Sequence, residues 1–325
     1  MPAFAQQNSF QPGQLWNDVQ GNPINAHGGG LLFYNGLYYW FGEIKKGPTT
    51  RVAYVTSWEN YRTAAGGVSC YSSADLHNWK FEGIALSPNQ GSPNHDLHTS
   101  KVIERPKVIY NKKTRQFVMW MHLDYEDYSY ARTGVAVSDK VTGPFRFLKT
   151  DQLNGQESRD MTLFQDEDEK AYIVYASEDN ASIHINLLSD DYLRPSNIEK
   201  RILVNKHREA PIVIKHQKKY YLFTSGCTGW KANALSYAIA THPLSEWYLF
   251  DNPCIGSGAT NTFNSQGTFM IPMPGKDNAF IFLADRWNQT DLQDSRYVWL
   301  PMRFHNGIPK LYWADAWDTD YFGRR

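Results

Sequence analysis

The sequence predicts an all-β protein, a five-bladed β-propeller, and two observations lead to that fold class. First, five stretches share one pattern, in which a polar residue opens a short apolar strand, a tight turn follows, and an aromatic-rich strand returns. The opening residues are His27, Glu104, Asp160, Glu209 and Gln266. A regular repeat of strands and turns is typical of propellers. Second, apolar and polar residues alternate, and Gly, Pro, Asn and Asp separate the runs, which indicates strands rather than helices.

The blades and their strands follow the repeat in order. Residues 1–25 are polar and turn-rich, and we expect them to wrap the propeller. The repeat places the blades at residues 26–100, 101–154, 157–206, 207–257 and 264–317. Further strands are expected at 51–57 and 67–73 in blade one, with an outer hairpin at 75–83. In the other blades they are expected at 134–139 and 143–148 in blade two, at 182–190 in blade three, at 234–242 and 247–250 in blade four, and at 296–304 in blade five. Without a linker, residues 1–325 are predicted to form one domain.

Charge and composition exclude several classes of function. The 33 basic and 33 acidic residues cancel, so the chain lacks the positive surface that nucleic-acid binding requires. No apolar run approaches the length of a membrane-spanning helix. The three cysteines leave at least one thiol unpaired, and their spacing matches no zinc motif. The 11 Trp and 20 Tyr suit flat, amphipathic ligands such as sugars. We expect a monomer that binds neither nucleic acid nor membranes.

The first residues, MPAFAQQ, resemble the end of a cleaved secretory signal, with Ala3-Phe4-Ala5 as a small-residue cleavage site. The alternative is an ordinary chain terminus. We therefore expect a secreted or periplasmic protein.

The opening residues of the five repeats are the candidate active site. Equivalent positions of successive blades surround one axis, so these residues should converge, and Glu104, Asp160 and Glu209 are carboxylates. Crowded carboxylates raise one another's pKa, which keeps a carboxylic acid protonated near neutral pH. Glycoside hydrolysis needs such an acid and a second group for the water or the sugar. The structural alternative is that these acids cap strand amides or pair with the adjacent arginines, Arg105, Arg159 and Arg208.

The order of these motifs resembles the five-bladed propeller hydrolases of glycoside hydrolase family 43. The resemblance implies that Glu209, in Glu209-Ala210-Pro211, is the general acid and that Asp160 tunes it. Most of that family has a catalytic-base Asp at the opening of blade one, where this sequence has Ala-His-Gly-Gly at 26–29. The branch without that Asp includes the exo-β-1,3-galactanases, and its sequences are similar to segments 25–30, 36–43, 104–111 and 265–267 of this chain.

The resemblance also implies roles for the remaining residues. In that branch the residue equivalent to Gln266 positions or activates water, and the one equivalent to Glu104 binds the sugar. An amide is a poor base, so Glu104 and His27 are kept as alternatives. The reaction would invert the anomeric centre, with the acid and the water-holding group roughly 6.5–9.5 Å apart. No cofactor and no metal site are expected from the motifs, although similar propellers can hold a structural calcium in the channel.

Residues after the inner hairpins are further candidates for sugar binding. Each has an alternative role in a turn, at the rim or in packing between blades. In addition to His27, the candidates are Tyr128, Glu178, Asn180, Thr228, Trp230 and Trp287.

The expected substrate is a polysaccharide, the β-1,3-galactan main chain of arabinogalactan, including the glycans of arabinogalactan proteins. The alternatives are another family 43 activity, such as an arabinofuranosidase or xylosidase, and a sugar-binding propeller that has lost catalysis.

Overall fold

The computed structural model describes residues 7–273 and 275–323. Within these ranges the regular structure is almost entirely β-strand, with three short 3-10 turns. In this part of the chain, no helix is both long and apolar enough to cross a membrane. The all-β prediction is confirmed. The proposed signal remnant, Ala3-Phe4-Ala5, lies outside the described residues.

Each blade is a four-stranded antiparallel meander that runs outward from the channel. Blade one contains β1 (His27–Tyr34), β2 (Leu37–Lys45), β5 (Ala65–Ser73) and β6 (Lys80–Leu86), with the short pair β3 (Thr50–Arg51) and β4 (Tyr61–Arg62) between β2 and β5. Blade two contains β7 (Val102–Asn111), β8 (Gln116–Asp124), β9 (Arg132–Ser138) and β10 (Arg146–Asp151). Blade three contains β11 (Met161–Gln165), β12 (Ala171–Ser177), β13 (Ser182–Leu188) and β14 (Pro195–Ile202).

Blade four contains β15 (Arg208–His216), β16 (Lys219–Gly226), β17 (Ser236–Ala240) and β18 (Tyr248–Phe250). Blade five contains β20 (Gln266–Pro272), β21 (Ala279–Arg286), β22 (Arg296–His305) and β23 (Ile308–Tyr312), and β19 (Cys254–Ile255) adds a fifth strand parallel to β23. The inner strands β1, β7, β11, β15 and β20 contact one another in turn, and β20 contacts β1. The ring is closed, which confirms the five-bladed propeller.

The N-terminal segment lies across the seam between blades five and one. Phe10 and Trp317 exchange backbone hydrogen bonds of 2.7 and 3.1 Å. The ring of Trp16 lies 5.7 Å from Trp40 of blade one and 4.9 Å from Trp299 of blade five. Buried aromatic contacts of this kind stabilise a seam beyond the apolar area that they remove from water.

One predicted strand is wrong. The pattern of residues 51–57, with apolar side chains at Val52 and Tyr54, predicts a strand of the blade. In the structure, β5 occupies the third place in blade one. Only β3 and β4 pair in this region, and a turn begins at Val52, whose C=O accepts a 3.1 Å hydrogen bond from the N–H of Val55. Residues 46–64, called the blade-one ribbon below, leave the sheet instead. Val55, Ser57 and Trp58 of this ribbon line the cavity described next.

Candidate active site

The opening residues are redirected toward the channel by β-bulges. In blades one, two and four the residue after the opening position has positive φ: Gly28 at 58°, Arg105 at 53° and Ala210 at 51°. The strand register shifts at the same three places. A bulge bends its strand and changes the direction of a side chain. Glu104 lies inside β7 and Glu209 inside β15, and the bulge sets the direction of each side chain.

These residues meet at one mouth of the channel, in a cavity of about 410 Å³. That size lies within the range of small-molecule sites. The cavity brings together all four candidate catalytic residues, Glu104, Asp160, Glu209 and Gln266. The candidate sugar-binding residues on its wall are Tyr128, Asn180, Trp230 and Trp287.

Glu209 has the properties of a general acid. Burial and the nearby charge of Asp160 raise the pKa of Glu209 to about 8. Its Oε1 accepts a 3.0 Å hydrogen bond from Nε2 of Gln266. Its neighbour Ala210 donates its backbone N–H to Asp160 over 3.0 Å, which links the inner strands of blades three and four. The side chain is therefore protonated at neutral pH and faces the cavity.

Arg105 fixes the orientation of Gln266. Its guanidinium binds both oxygens of Asp160 at 2.9 Å and donates to Oε1 of Gln266 over 2.6 Å. The indole N–H of Trp287 also donates to that oxygen, over 3.1 Å. Because Arg and Trp can only donate, the Gln266 oxygen must face them and its NH₂ must face Glu209.

Of the three arginines considered as partners of these acids, Arg105 pairs with Asp160. Arg159 pairs with Glu157 and Asp179 instead, and Arg208 donates hydrogen bonds to Thr224 and Ala234.

Glu209 and Gln266 are closer together than the roughly 6.5–9.5 Å expected between the acid and the water-holding group of an inverting enzyme. The hydrogen bond of 3.0 Å between them leaves no space for a water molecule. They are adjacent because they open β15 and β20, which pack side by side in the ring.

Glu104 is an ionised carboxylate on the cavity wall. Its Oε1 accepts a 2.8 Å hydrogen bond from the hydroxyl of Tyr128 and lies 3.4 Å from Nζ of Lys45. The Nδ1 atom of His122 stands 3.5 Å from Oε2. Burial alone would raise the pKa of Glu104, but Lys45, His122 and Tyr128 outweigh burial and hold it below its ordinary value. Glu104 can therefore accept hydrogen bonds from sugar hydroxyls or from water, and its lowered pKa makes it a weak base.

Sequence reasoning missed the partners on the second strand of each hairpin. In register, Glu43 lies opposite His27, His122 opposite Glu104, Ser225 opposite Glu209, and Asp285 opposite Gln266. Burial raises the pKa of Glu43 to about 8, although the charge of Lys45, whose Nζ lies 3.2 Å from Oε2 of Glu43, lowers it. The same repeat could have revealed these four partners. In each hairpin the second strand ends with a polar residue that lies opposite the opening residue of the first strand.

Three candidate residues lie away from the cavity wall. His27 is only 1% exposed, and its Nδ1 stands 2.9 Å from Asp285, so it cannot serve as a base or touch a sugar. Glu178 is held by Arg201 and by Ser182 and His184, which makes it a turn residue. Thr228 lines a neighbouring groove instead.

A metal fits this site poorly. Glu104, His122 and Asp160 offer three ligand atoms within 4.8 Å of one another. However, both carboxylates already pair with buried cations, Lys45 and Arg105, and His122 already contacts a carboxylate of Asp124 at 2.9 Å. A further cation would be repelled. A structural calcium elsewhere in the channel stays a prediction.

The protonation of Glu209 predicts the alkaline limit of activity. Hydrolysis should fall as the pH rises through about 8, because the acid then loses its proton. Asp160→Asn removes a negative charge that raises the pKa of Glu209, so the alkaline limit should move to lower pH. The measurement is kcat/KM against pH for both proteins. An alkaline limit that stays in place or moves upward in Asp160→Asn would contradict this assignment.

Comparison with known proteins identifies the family. The model of glycosyl hydrolases family 43 matches residues 44–297. A family 43 β-1,3-galactosidase is 40% identical, with a TM-score of 0.89, and the match covers 98% of this chain and 65% of that chain. A second one, solved with galactodeoxynojirimycin, is 40% identical, with a TM-score of 0.86 and coverage of 95% and 100%.

An exo-β-1,3-galactanase of Phanerochaete chrysosporium, solved with galactose, is 34% identical, with a TM-score of 0.85 and coverage of 95% and 68%. No curated protein matches the chain. The chain spans about two thirds of the length of the first of these structures and all of the second. The resemblance predicted from the motifs is confirmed, and the chain belongs to glycoside hydrolase family 43.

Proposed function

We propose that this protein is an exo-acting β-1,3-galactanase that releases galactose from the β-1,3-galactan main chain of arabinogalactans. The observation that carries the proposal is the position of Glu209 on the cavity wall beside Asp160 and Gln266, where burial and the charge of Asp160 raise its pKa. Similar structures described as β-1,3-galactosidases and exo-β-1,3-galactanases support the choice of sugar.

In the proposed reaction, Glu209 gives its proton to the glycosidic oxygen as the bond to the leaving sugar breaks. Water attacks the anomeric carbon from the opposite face, and the configuration inverts. Two residues remain candidates for handling this water. The resemblance favours Gln266, although its NH₂ already donates hydrogen bonds to Glu209 and Ser225. Glu104 is the alternative, because its ionised carboxylate lies on the same cavity wall and can accept a hydrogen bond from the water, although its lowered pKa makes it a weak base.

Exo action is supported by the blade-one ribbon, which closes one side of the cavity. The ribbon is tied to blade two by a 2.8 Å hydrogen bond from Asn60 to the backbone oxygen of Glu126. It is also tied to the loop between β21 and β22 of blade five. The N–H of Leu292 donates to Oγ1 of Thr49 over 2.9 Å, and the N–H of Gly47 donates to Oε1 of Gln293 over 3.0 Å. A cavity walled on one side accepts a chain end more readily than the middle of a polymer.

The alternatives are less well supported. An arabinofuranosidase or xylosidase of this family would be expected to carry a carboxylate at the opening of blade one, where His27 stands. A sugar-binding propeller without catalysis would gain nothing from an acid held protonated by its surroundings. Because the proposed substrate is a polysaccharide outside the cell, we also propose that the protein is secreted or periplasmic. We further propose that it acts as a monomer.

The identity of the released sugar tests the proposal. With β-1,3-galactan, arabinan and xylan offered separately, we expect galactose from the first and no release from the others. Proton NMR during the first minutes should show α-galactose before mutarotation, because an inverting enzyme converts the β-linkage to the α-anomer. Arabinose or xylose release, or β-galactose as the first product, would contradict it.

A further inference from the structure

Asp124 lies behind the cavity wall and binds one of the residues on that wall. Its side chain is completely buried, and its Oδ2 lies 2.9 Å from Nε2 of His122. The two residues are two positions apart on β8, so their side chains leave the same face of the strand. His122 pairs in register with Glu104 on β7, and His122 and Glu104 both line the cavity. Asp124 is therefore separated from the cavity by His122.

His122 stands between two carboxylates. Its Nδ1 faces Oε2 of Glu104 at 3.5 Å, and among the described residues this buried nitrogen makes no hydrogen bond. Burial alone would lower the pKa of His122, but Asp124 and Glu104 outweigh burial and raise it to about 9. The ring is therefore positively charged at neutral pH and has an N–H on each side. Asp124 holds one N–H, and the other is directed at Glu104.

The second oxygen of Asp124 shapes the loop between β8 and β9. This oxygen, Oδ1, accepts hydrogen bonds of 2.8–3.0 Å from three backbone N–H groups, those of Tyr125, Tyr130 and Ala131. The loop carries Tyr128, whose φ of 61° is uncommon for a residue other than glycine and is kept only where the surroundings hold it. The hydroxyl of Tyr128 reaches Oε1 of Glu104 over 2.8 Å.

We propose that Asp124 is a positioning residue for Glu104, because one buried carboxylate fixes both His122 and the loop of Tyr128. His122 faces one oxygen of Glu104 and Tyr128 donates to the other. This inference rests on the proposed galactanase function, in which Glu104 binds the sugar. It adds a residue that touches neither the sugar nor the reacting atoms.

Asp124→Asn separates the two roles of this carboxylate. The amide oxygen can still accept from the three backbone N–H groups of the loop, since these groups can only donate. The NH₂ must then face Nε2 of His122, which has to accept a hydrogen bond and therefore carries no proton. The loop is kept, His122 becomes neutral, and Glu104 loses a charged neighbour.

We expect two values to rise about tenfold in Asp124→Asn, as when one hydrogen bond to a charged group is weakened. These are the KM for β-1,3-galactobiose and the Kd of galactose, measured by calorimetry. The kcat should be retained, because the contact with Glu104 is made equally by the bound sugar and by the transition state. Damage to the acid would lower kcat instead.

Nitrogen-15 NMR of the histidine-labelled protein reports the state of the ring directly. At neutral pH, His122 should have two protonated ring nitrogens in the wild type and one in Asp124→Asn. The signal is assigned by its loss in His122→Gln. The wild-type spectrum tests the arrangement even if Asp124→Asn does not fold.

Asp18→Asn is the matched control. Asp18 is also a buried carboxylate, 5% exposed, whose Oδ1 accepts backbone N–H groups, but it lies in the N-terminal segment. It should change neither KM nor Kd nor the His122 signal. An unchanged KM and Kd in Asp124→Asn, a loss confined to kcat, or a neutral His122 in the wild type would overturn the inference. If the wild-type protein releases no galactose, the galactanase proposal fails, whereas the two spectra still decide whether Asp124 controls His122.

Discussion

Glu209→Gln is expected to lower hydrolysis of β-1,3-galactan by about 10²- to 10⁴-fold, the range attributed to general acid catalysis. Glutamine keeps the shape of the side chain and can still hydrogen bond to Gln266, but it cannot give a proton to the leaving oxygen. Galactose binding should persist, because the cavity wall is unchanged. The measurement is the rate of galactose release together with calorimetric titration of galactose.

The choice of substrate separates loss of the acid from general damage. β-Galactosyl fluoride has a leaving group that needs little protonation, so Glu209→Gln should retain much more activity on it than on galactan. Glu178→Gln serves as the matched control, because that carboxylate is bound by Arg201 outside the cavity and should leave turnover on galactan unchanged. If Glu209→Gln turns over galactan at the wild-type rate, Glu209 is not the acid.

Arg105→Met is expected to cost about 3–5 kcal/mol of unfolding free energy, as when one partner of a buried ion pair is removed. The guanidinium is 7% exposed and forms two bonds with Asp160, whose side chain is 15% exposed. Without Arg105, the carboxylate of Asp160 stays partly buried without its charged partner, and the oxygen of Gln266 loses its strongest donor. Activity should fall as well, because Gln266 is no longer held in one orientation. Urea denaturation gives the free energy of unfolding.

The surface pair of Arg201 and Glu178 provides the control. Arg201 is 47% exposed, and Arg201→Met should cost about 1 kcal/mol or less, as is usual for exposed ion pairs. The double variant Arg105→Met/Asp160→Asn should recover part of the lost stability, because the unpaired charge is gone, but should not recover activity. A cost for Arg105→Met no larger than that for Arg201→Met would contradict the central role given to this residue.

The fold and the meeting of the candidate residues could be predicted because both follow from the repeat. The predictions fail where the repeat is broken, or where contacts with other strands decide whether a side chain reaches the cavity. The segment at 51–57 alternates like a strand, yet β5 takes its place in the sheet and the segment becomes part of the ribbon. His27 occupies an equivalent opening position, but Asp285 and the ring of Tyr297, 4.8 Å away, bury it. Nothing local in the sequence distinguishes it from Glu104, which remains at the cavity.

The sequence by itself determined that this is a propeller of five blades and which polar residues surround its channel. A closed ring brings equivalent positions of a repeat together, whatever their distance along the chain. Only the tertiary structure decided that Glu209 is protonated while Glu104 is ionised, that Arg105 and Trp287 turn the amide of Gln266, and that a ribbon closes the cavity. These properties depend on burial and on charges a few ångströms away, contributed by several blades at once, and a linear pattern does not specify such distances.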